Sequence, residues 1–459
     1  MYEVIEAVPV SELIEPAPER GPEPGGAFDI QGRGQQAQRR GQQAQRLART
    51  GTLRLWRGGD LWYIGAAAVV NVANFAFFGL VGHLLRPSSY GAVAALLNVV
   101  SIAAIPLNAV QAAIVREVVL QSKDGSPPAV RRAGAVFVGS GLGATALLVV
   151  VSPLAARFFG LGTVVPVVIL ALWLAPSVAS SLFDGVLIGT LRWRPIAVSL
   201  IAGALVRVIF AAAAGVIDPG IDGPVVATVL NAAVTLGVVL WVFWKSDHIA
   251  GRPQLRLPAP ATLSTVLALT GYSMLVALDT LMARHIFPAQ SGSYAAAVTI
   301  GRIALFLPMA ITVVVFPRFV SDGGRGRRAR RLLIIGLVGV LSLGLAASAA
   351  LIIGRHIFVG VLFGQRYAGA SSLIGLLSVE GALLGAIGLV TYFHLARRSP
   401  FAAAPAIATF TVAAMCLLAR PGPMALAQLM VTAAATLLLV MVAAALRGNS
   451  PSRTPTQLE

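Results

Sequence analysis

The stretch from Tyr294 to Pro308 reads YAAAVTIGRIALFLP. One guanidinium, that of Arg302, stands in a run of apolar and small residues that a proline closes. A charge at membrane depth is expensive and normally faces a bundle interior or a water-filled cavity, not lipid. The meaning of the run therefore depends on whether its surroundings are membrane. Of 459 residues, 57% are hydrophobic and 12% charged, with mean hydropathy +0.82. A soluble chain carries roughly 25% charged residues. This composition belongs to a membrane-embedded chain.

From Leu61 onward, apolar segments long enough to cross about 30 Å of hydrocarbon recur. Twelve are placed, near 61–84, 91–115, 131–152, 164–188, 196–217, 224–244, 262–284, 292–317, 332–353, 370–393, 401–419 and 424–446. The breaks between them carry proline, glycine or charge, as in LLRPSSYG, QSKDGSPPAVRR and PRFVSDGGRGRRARR. A chain exposed to lipid must satisfy its backbone internally, which helices do. A barrel would need short alternating strands instead of runs of this length. The expected fold is all-α: a polytopic membrane protein of about twelve transmembrane helices.

The formal net charge of +17 does not point to nucleic acid, because the basic residues collect in short bridges between apolar segments. One set of bridges holds Arg116, Lys123, Arg131 and Arg132, then Arg192 and Arg194, then Lys245, Arg252 and Arg256. It continues with Arg318, the Arg325–Arg331 cluster, Arg397 and Arg398. The opposite bridges hold little charge, and the 218–223 turn is acidic. This alternation is how a multi-pass protein marks its cytoplasmic side and meets anionic lipid headgroups. Both termini of this multi-pass chain are expected in the cytoplasm.

Two regions echo each other. HLLRPSSYG is followed by a helix holding Pro106, with Arg116 ten residues later; HIFPAQSGSY is followed by one holding Pro308, with Arg318 again ten residues later. Six helices per half leave both halves in the same orientation, as two parallel six-helix lobes related by an axis along the membrane normal. The expected organisation is a disordered cytoplasmic tail over 1–58, a first lobe over 59–244 and a cytoplasmic linker over 245–261. A second lobe over 262–446 and a disordered tail over 447–459 complete it. The first tail has no apolar run before a small-residue cleavage site, so it does not read as a signal peptide. Its acidic, proline-rich start and the near-duplicates GQQAQRR and GQQAQRL contain too little apolar surface to repay ordering.

No Walker sequence, HExxH, GxSxG or CxxC is present, and Cys416 is the only cysteine. The five histidines lack metal-ligand spacing. No cofactor, metal site or ATP hydrolysis is expected; a membrane enzyme with a carboxylate hidden in a loop stays open, although after residue 60 no bridge exceeds about 20 residues. The informative residues are ionisable or carboxamide groups within apolar segments. Arg302 lies about ten residues, or roughly 15 Å, into its span, and Arg207 is similarly deep. Glu380, Asp279 and Asp184 are the deep carboxylates, while Asn71, Asn74, Asn98, Asn108, Gln111 and Asn231 add polar points. Arg302 has two readings: it pairs with Glu380 or Asp279 to fasten the second lobe, or it faces a cleft and takes an anionic headgroup bidentately. Arg116 and Arg318 either snorkel to the interface or form a basic mouth. Pro106 and Pro308 are candidates for bends that serve gating.

The stretches SYGAVAALLNVVSIAAIPLNAVQAAIVREVV and LDTLMARHIFPAQSGSYAAAVTIGRIALFLP resemble bacterial polysaccharide-biosynthesis membrane proteins. These are the O-antigen and oligosaccharide flippases of the multidrug/oligosaccharidyl-lipid/polysaccharide (MOP) exporter superfamily. The resemblance covers 61–446; Asp279, Tyr294, Gly301, Arg302 and Pro308 match one helix-pair pattern, and Tyr90, Gly91, Pro106 and Arg116 its counterpart. It implies a two-lobed alternating-access transporter that moves polyprenyl-pyrophosphate-linked oligosaccharide outward through a cationic cavity. The implied partners are the lipid-linked anionic glycan and glycosyltransferases or a polymerase of the same pathway, and the chain is expected to act as a monomer. Relatives with fourteen helices, and those with several intramembrane arginines in the first lobe, differ from this chain. Two alternatives remain: a multidrug/cation antiporter with an acidic cavity exposing Asp279 and Glu380, and a non-transporting scaffold in a polysaccharide assembly.

Overall fold

The structure is a computed structural model that describes residues 58–123, 130–217, 220–245, 261–309, 311–312, 315–316, 319 and 326–447. The expected tails over 1–57 and 448–459, nearly all of the 245–261 linker, and Arg318 lie outside the described residues, as does the side chain of Arg116. The first lobe contains α1 (Gly58–Leu84), α2 (Pro87–Lys123), α3 (Val130–Phe158), α4 (Val165–Ala171), α5 (Leu174–Gly189), α6 (Trp193–Ile217) and α7 (Asp222–Trp244). The second begins with α8 (Ala261–Ile286), α9 (Ser291–Gly301), α10 (Ile303–Phe306), α11 (Gly326–Ile353) and α12 (Arg355–Leu362). It ends with α13 (Ile374–Ala396), α14 (Ala404–Ala419) and α15 (Pro423–Arg447). No strand occurs among the described residues.

Eleven membrane-length helical spans are present among the described residues, α4 and α5 together forming one of them. The segment expected as an unbroken helix over 292–317 is in pieces. Its first piece, α9, ends at Gly301; α10 has four residues; a turn at Leu307 and Pro308 follows before the chain becomes helical again at Met309. Proline lacks the N–H that would bond four residues back, and its ring crowds that carbonyl. Pro106 does not act in the same way, because α2 stays helical through it over 37 residues. Such a helix is about 55 Å long at 1.5 Å per residue, so α2 extends past the hydrocarbon. Proline at its first position suits a helix start, where the missing donor costs nothing.

The spans differ in what they face. On α3, α6, α11 and α14 large apolar side chains point outward, with Ile353 and Leu418 86% and 87% exposed. This outer surface is suited to lipid. By contrast, α13 buries most of its residues within the protein, and nearly every residue of α9 is covered. The small side chains Ser291, Gly292 and Ala295–Ala297 let that segment sit at the centre. Trp241 and Trp244 end α7 beside Lys245, whose ammonium lies 4.1 Å from the Trp241 ring centroid. Tryptophan beside lysine is typical of a membrane interface.

The apolar cores show where the lobes touch. One core joins Phe77, Val81 and Tyr90 of the first lobe to Leu278, Tyr294 and Phe363 of the second. All six lie towards the ends remote from the basic bridges. Nearer those bridges, each lobe has its own core: Ile114, Leu182 and Phe243 in the first, Leu305, Leu333 and Phe393 in the second. The lobes are joined at one end and separate towards the other.

Candidate functional site

A cavity of about 1290 Å³ lies between the lobes. It is larger than the usual small-molecule pocket of about 300–1,000 Å³. Its two sides differ in chemistry. From the first lobe come six carboxamides, Asn71, Asn74, Asn98, Asn108, Gln111 and Asn231. Serines on α5 and threonines on α7 add hydroxyls to that side. From the second lobe come mostly apolar side chains, including Val276, Val298, Ile303 and Phe306, joined by Ile357, Phe358, Val361 and Leu362 on α12. The lining reaches Gln111 on α2 and Asp184 on α5, well towards the basic ends of those helices.

The remote end is closed by second-lobe groups that cap first-lobe helix ends. The last carbonyls of a helix have no partner within it. At the end of α3, Gly160 has φ +57, a left-handed conformation that glycine adopts freely, and Leu161 N–H bonds back to Ala156 O at 2.9 Å. The carbonyls left over are taken by α8. His285 Nδ1 contacts Phe158 O at 2.7 Å; Arg284 Nε donates to Phe159 O at 2.8 Å and Nη2 to Gly160 O at 3.2 Å. Arg284 Nη1 also donates to Ser88 O at 2.9 Å, at the start of α2. Tyr367 hydroxyl donates to Leu85 O at 3.2 Å, just beyond α1, and its ring meets that of Tyr90 edge-on and that of Phe363 at a tilt. Above this seam α2 and α9 touch at backbone level: a Cβ on Gly292 would strike the Pro87 carbonyl.

The expected site residues divide into three groups. Asn71, Asn74, Asn108, Gln111, Arg207 and Arg302 line the cavity. Asp279 and Glu380 do not; they are 2% and 3% exposed and stand behind Arg302 on α8 and α13. Pro106 is within continuous α2, whereas Pro308 sits at a real break, and Arg116 and Arg318 have no described side chains.

The two deep arginines have different partners. Arg302, at the α9–α10 junction, donates through Nη2 to Asn98 Oδ1 at 3.0 Å and to Val276 O at 2.9 Å. The same nitrogen lies 3.8 Å from Asp279 Oδ1. Of the two carboxylates considered for it, Asp279 is the ion-pair partner, with Glu380 within electrostatic reach of both. Asp279 is itself held by the backbone and hydroxyl of Thr280. Glu380 sits next to Gly381, whose missing side chain admits the Gly301 carbonyl. Arg207 has no carboxylate partner among the described residues. Its Nη1 donates to Asn74 Oδ1 at 3.0 Å and its guanidinium carbon lies 3.9 Å from the Phe77 ring centroid. Its buried Nε finds no acceptor among the described residues, a deficit that costs about 1–3 kcal/mol.

Arg284, Phe363 and Tyr367 were not singled out by sequence. The acceptors of Arg284 and Tyr367 are main-chain carbonyls, which leave no residue-type signature, and Phe363 contributes only ring packing. Among the described residues no cluster of three histidines, cysteines or carboxylates is arranged to hold a metal.

Two lobes closed at one end over a membrane-depth cavity make up a fold that solved transporters share. The chain resembles a multidrug resistance MATE family transporter of the MOP superfamily in its inward-facing conformation: TM-score 0.63, 15% identity, covering 83% of this chain and 96% of that one. It also resembles the lipid II flippase MurJ in an inward closed conformation, with TM-score 0.61, 13% identity and coverage of 84% and 87%. The family model described as polysaccharide biosynthesis protein matches residues 80–372, and the chain belongs to that family. An uncharacterized protein of Mycobacterium tuberculosis (strain ATCC 25618 / H37Rv) is 28% identical over 269 residues, 54% of this chain. The match spans 59% of that relative's length.

Proposed function

We propose that the protein is an alternating-access flippase that moves a lipid-linked glycan across the bacterial plasma membrane for cell-surface polysaccharide assembly. The observation that carries this reading is the two-sided cavity. Carboxamides donate and accept hydrogen bonds, which suits sugar hydroxyls, and the opposite wall of valine, isoleucine and phenylalanine suits a polyprenyl tail. The basic bridges support a cytoplasmic placing of the cavity's extended end and of both termini. The protein then lowers the cost of desolvating the headgroup, while synthesis on one face and consumption on the other give direction. Glycosyltransferases or a polymerase are the partners that this role implies.

A cation antiporter built on Asp279 and Glu380 would need them on the cavity wall, but both are enclosed behind Arg302, and Asp184 is the one carboxylate among the described lining residues. Leaflet translocation in liposomes holding the purified protein tests the reading, with polyprenyl-linked sugars compared with cationic dyes. Movement of the lipid-linked sugar and not of the dyes is expected. Transport of dyes alone would overturn it.

A further inference from the structure

The charge pattern of the cavity narrows the headgroup. Two guanidiniums reach its wall, those of Arg207 and Arg302. Three carboxylates lie on or directly behind that wall: Asp184 in the lining, and Asp279 and Glu380 behind Arg302. Arg302 is committed to Asn98, to the Val276 carbonyl and to Asp279. An anion approaching it would meet Asp279, the ion-pair partner of Arg302, whose charge opposes its own. Arg207 differs in each respect. Its described neighbours are an uncharged amide and an aromatic face, and one of its donors lacks an acceptor. Arg207 lines the cavity, so a phosphate oxygen there meets a guanidinium that no described carboxylate already neutralises.

We propose that the substrate's linkage is a single phosphodiester with one negative charge, as in a polyprenyl-phosphate sugar, and that Arg207 is its phosphate partner. The inference rests on the flippase reading above and deepens it. A pyrophosphate diester carries two charges, and only one described guanidinium at membrane depth is without a carboxylate. Among the described residues, the second charge would find no unpaired cation at membrane depth to receive it. Around Arg207 the composition fits the rest of such a molecule. Asn74 already touches the guanidinium, and Asn71 on α1 and Asn231 on α7 extend the amide surface for an uncharged sugar. Phe77 fixes the guanidinium plane from behind.

The test is binding to the purified full chain in lipid nanodiscs. Two probes share one polyprenyl tail and one glucose and differ only in having a phosphate or a pyrophosphate link. The single-phosphate lipid is expected to bind at least tenfold tighter. Arg207→Gln should reduce its binding at least tenfold, and Arg207→Lys less. The wild-type preference between the two lipids needs no variant and stands as a measurement even if Arg207→Gln folds poorly. Equal or tighter binding of the pyrophosphate lipid would overturn the one-charge inference and leave the flippase reading intact. A single-phosphate preference that survives in folded Arg207→Gln protein would overturn the assignment of Arg207. Binding of neither lipid would overturn the flippase reading itself.

Discussion

Arg284 Nε donates to the carbonyl oxygen of Phe159 across 2.8 Å, so a second-lobe side chain closes the end of a first-lobe helix. The bond belongs to a set: Arg284 also reaches the carbonyls of Gly160 and Ser88, and it is 6% exposed. Hydrogen bonds to a charged group contribute about 1.5–3 kcal/mol each, and about 1.4 kcal/mol is a factor of ten in a population. Arg284→Ala should therefore shift the protein at least tenfold towards a conformation open at this end. Ser101→Cys in a Cys416→Ser background supplies a reporter, since Ser101 lines the cavity and Cys416 is buried. An impermeant maleimide applied to intact cells should label it faster when Arg284 is removed. An unchanged rate would mean that the seam is held elsewhere.

Gly292 faces the Pro87 carbonyl with no room for a Cβ. The obstacle is backbone, which cannot rotate away as a side-chain tip can. Gly292→Val should hold α2 and α9 apart and raise labelling of the same reporter. Gly139 on α3 has open space around it, so Gly139→Ala should leave the rate alone. A labelling rise in both variants would point to general loosening and not to the α2–α9 contact.

Eleven membrane-length spans were legible in sequence because lipid demands long apolar helices. The break at Pro308 was partly legible. YAAAVTIGRIALFLP shows the proline and the arginine, but the same marks occur around Pro106 and Arg116, where α2 runs on unbroken. What separates the two is tertiary: α9 and α10 pack against α13 at Gly301 and Gly381, so local helix geometry yields to packing at the centre of the lobe. The deep polar residues were also legible as a set. Which arginine is paired was not, because Asp279 and Arg302 are 23 positions apart and only the packing of α8 against α9 brings them together. The outer seam was the least legible part, since a carbonyl at a helix end is the same for every residue.

Tyr367 makes the seam's second cap through a single hydroxyl to Leu85 O at 3.2 Å. Tyr367→Phe keeps the ring packing with Tyr90 and Phe363 and removes only that donor. One neutral hydrogen bond is worth about 0.5–1.5 kcal/mol net. The expected rise in reporter labelling is several-fold, below that of Arg284→Ala. A larger effect than that of Arg284→Ala would reverse the ranking of the two caps.

Arg302 and Asp279 lie 3.8 Å apart, with side chains 21% and 4% exposed, so the carboxylate is the more enclosed partner. Removing one member of such a pair leaves the other charge uncompensated, at about 3–5 kcal/mol when the site is buried. Arg302→Gln should therefore lower the thermal stability of the purified protein strongly, since Asp279 then keeps only Thr280 as a described donor. Asp279→Asn should cost less, because Arg302 keeps its bonds to Asn98 and Val276 and partial access to the cavity. The double variant removes both charges and should be more stable than Arg302→Gln alone. That coupling is read from the four melting curves of a double-mutant cycle. Strict additivity would mean that Asp279 does not compensate Arg302, and Glu380 would then be the carboxylate to test next.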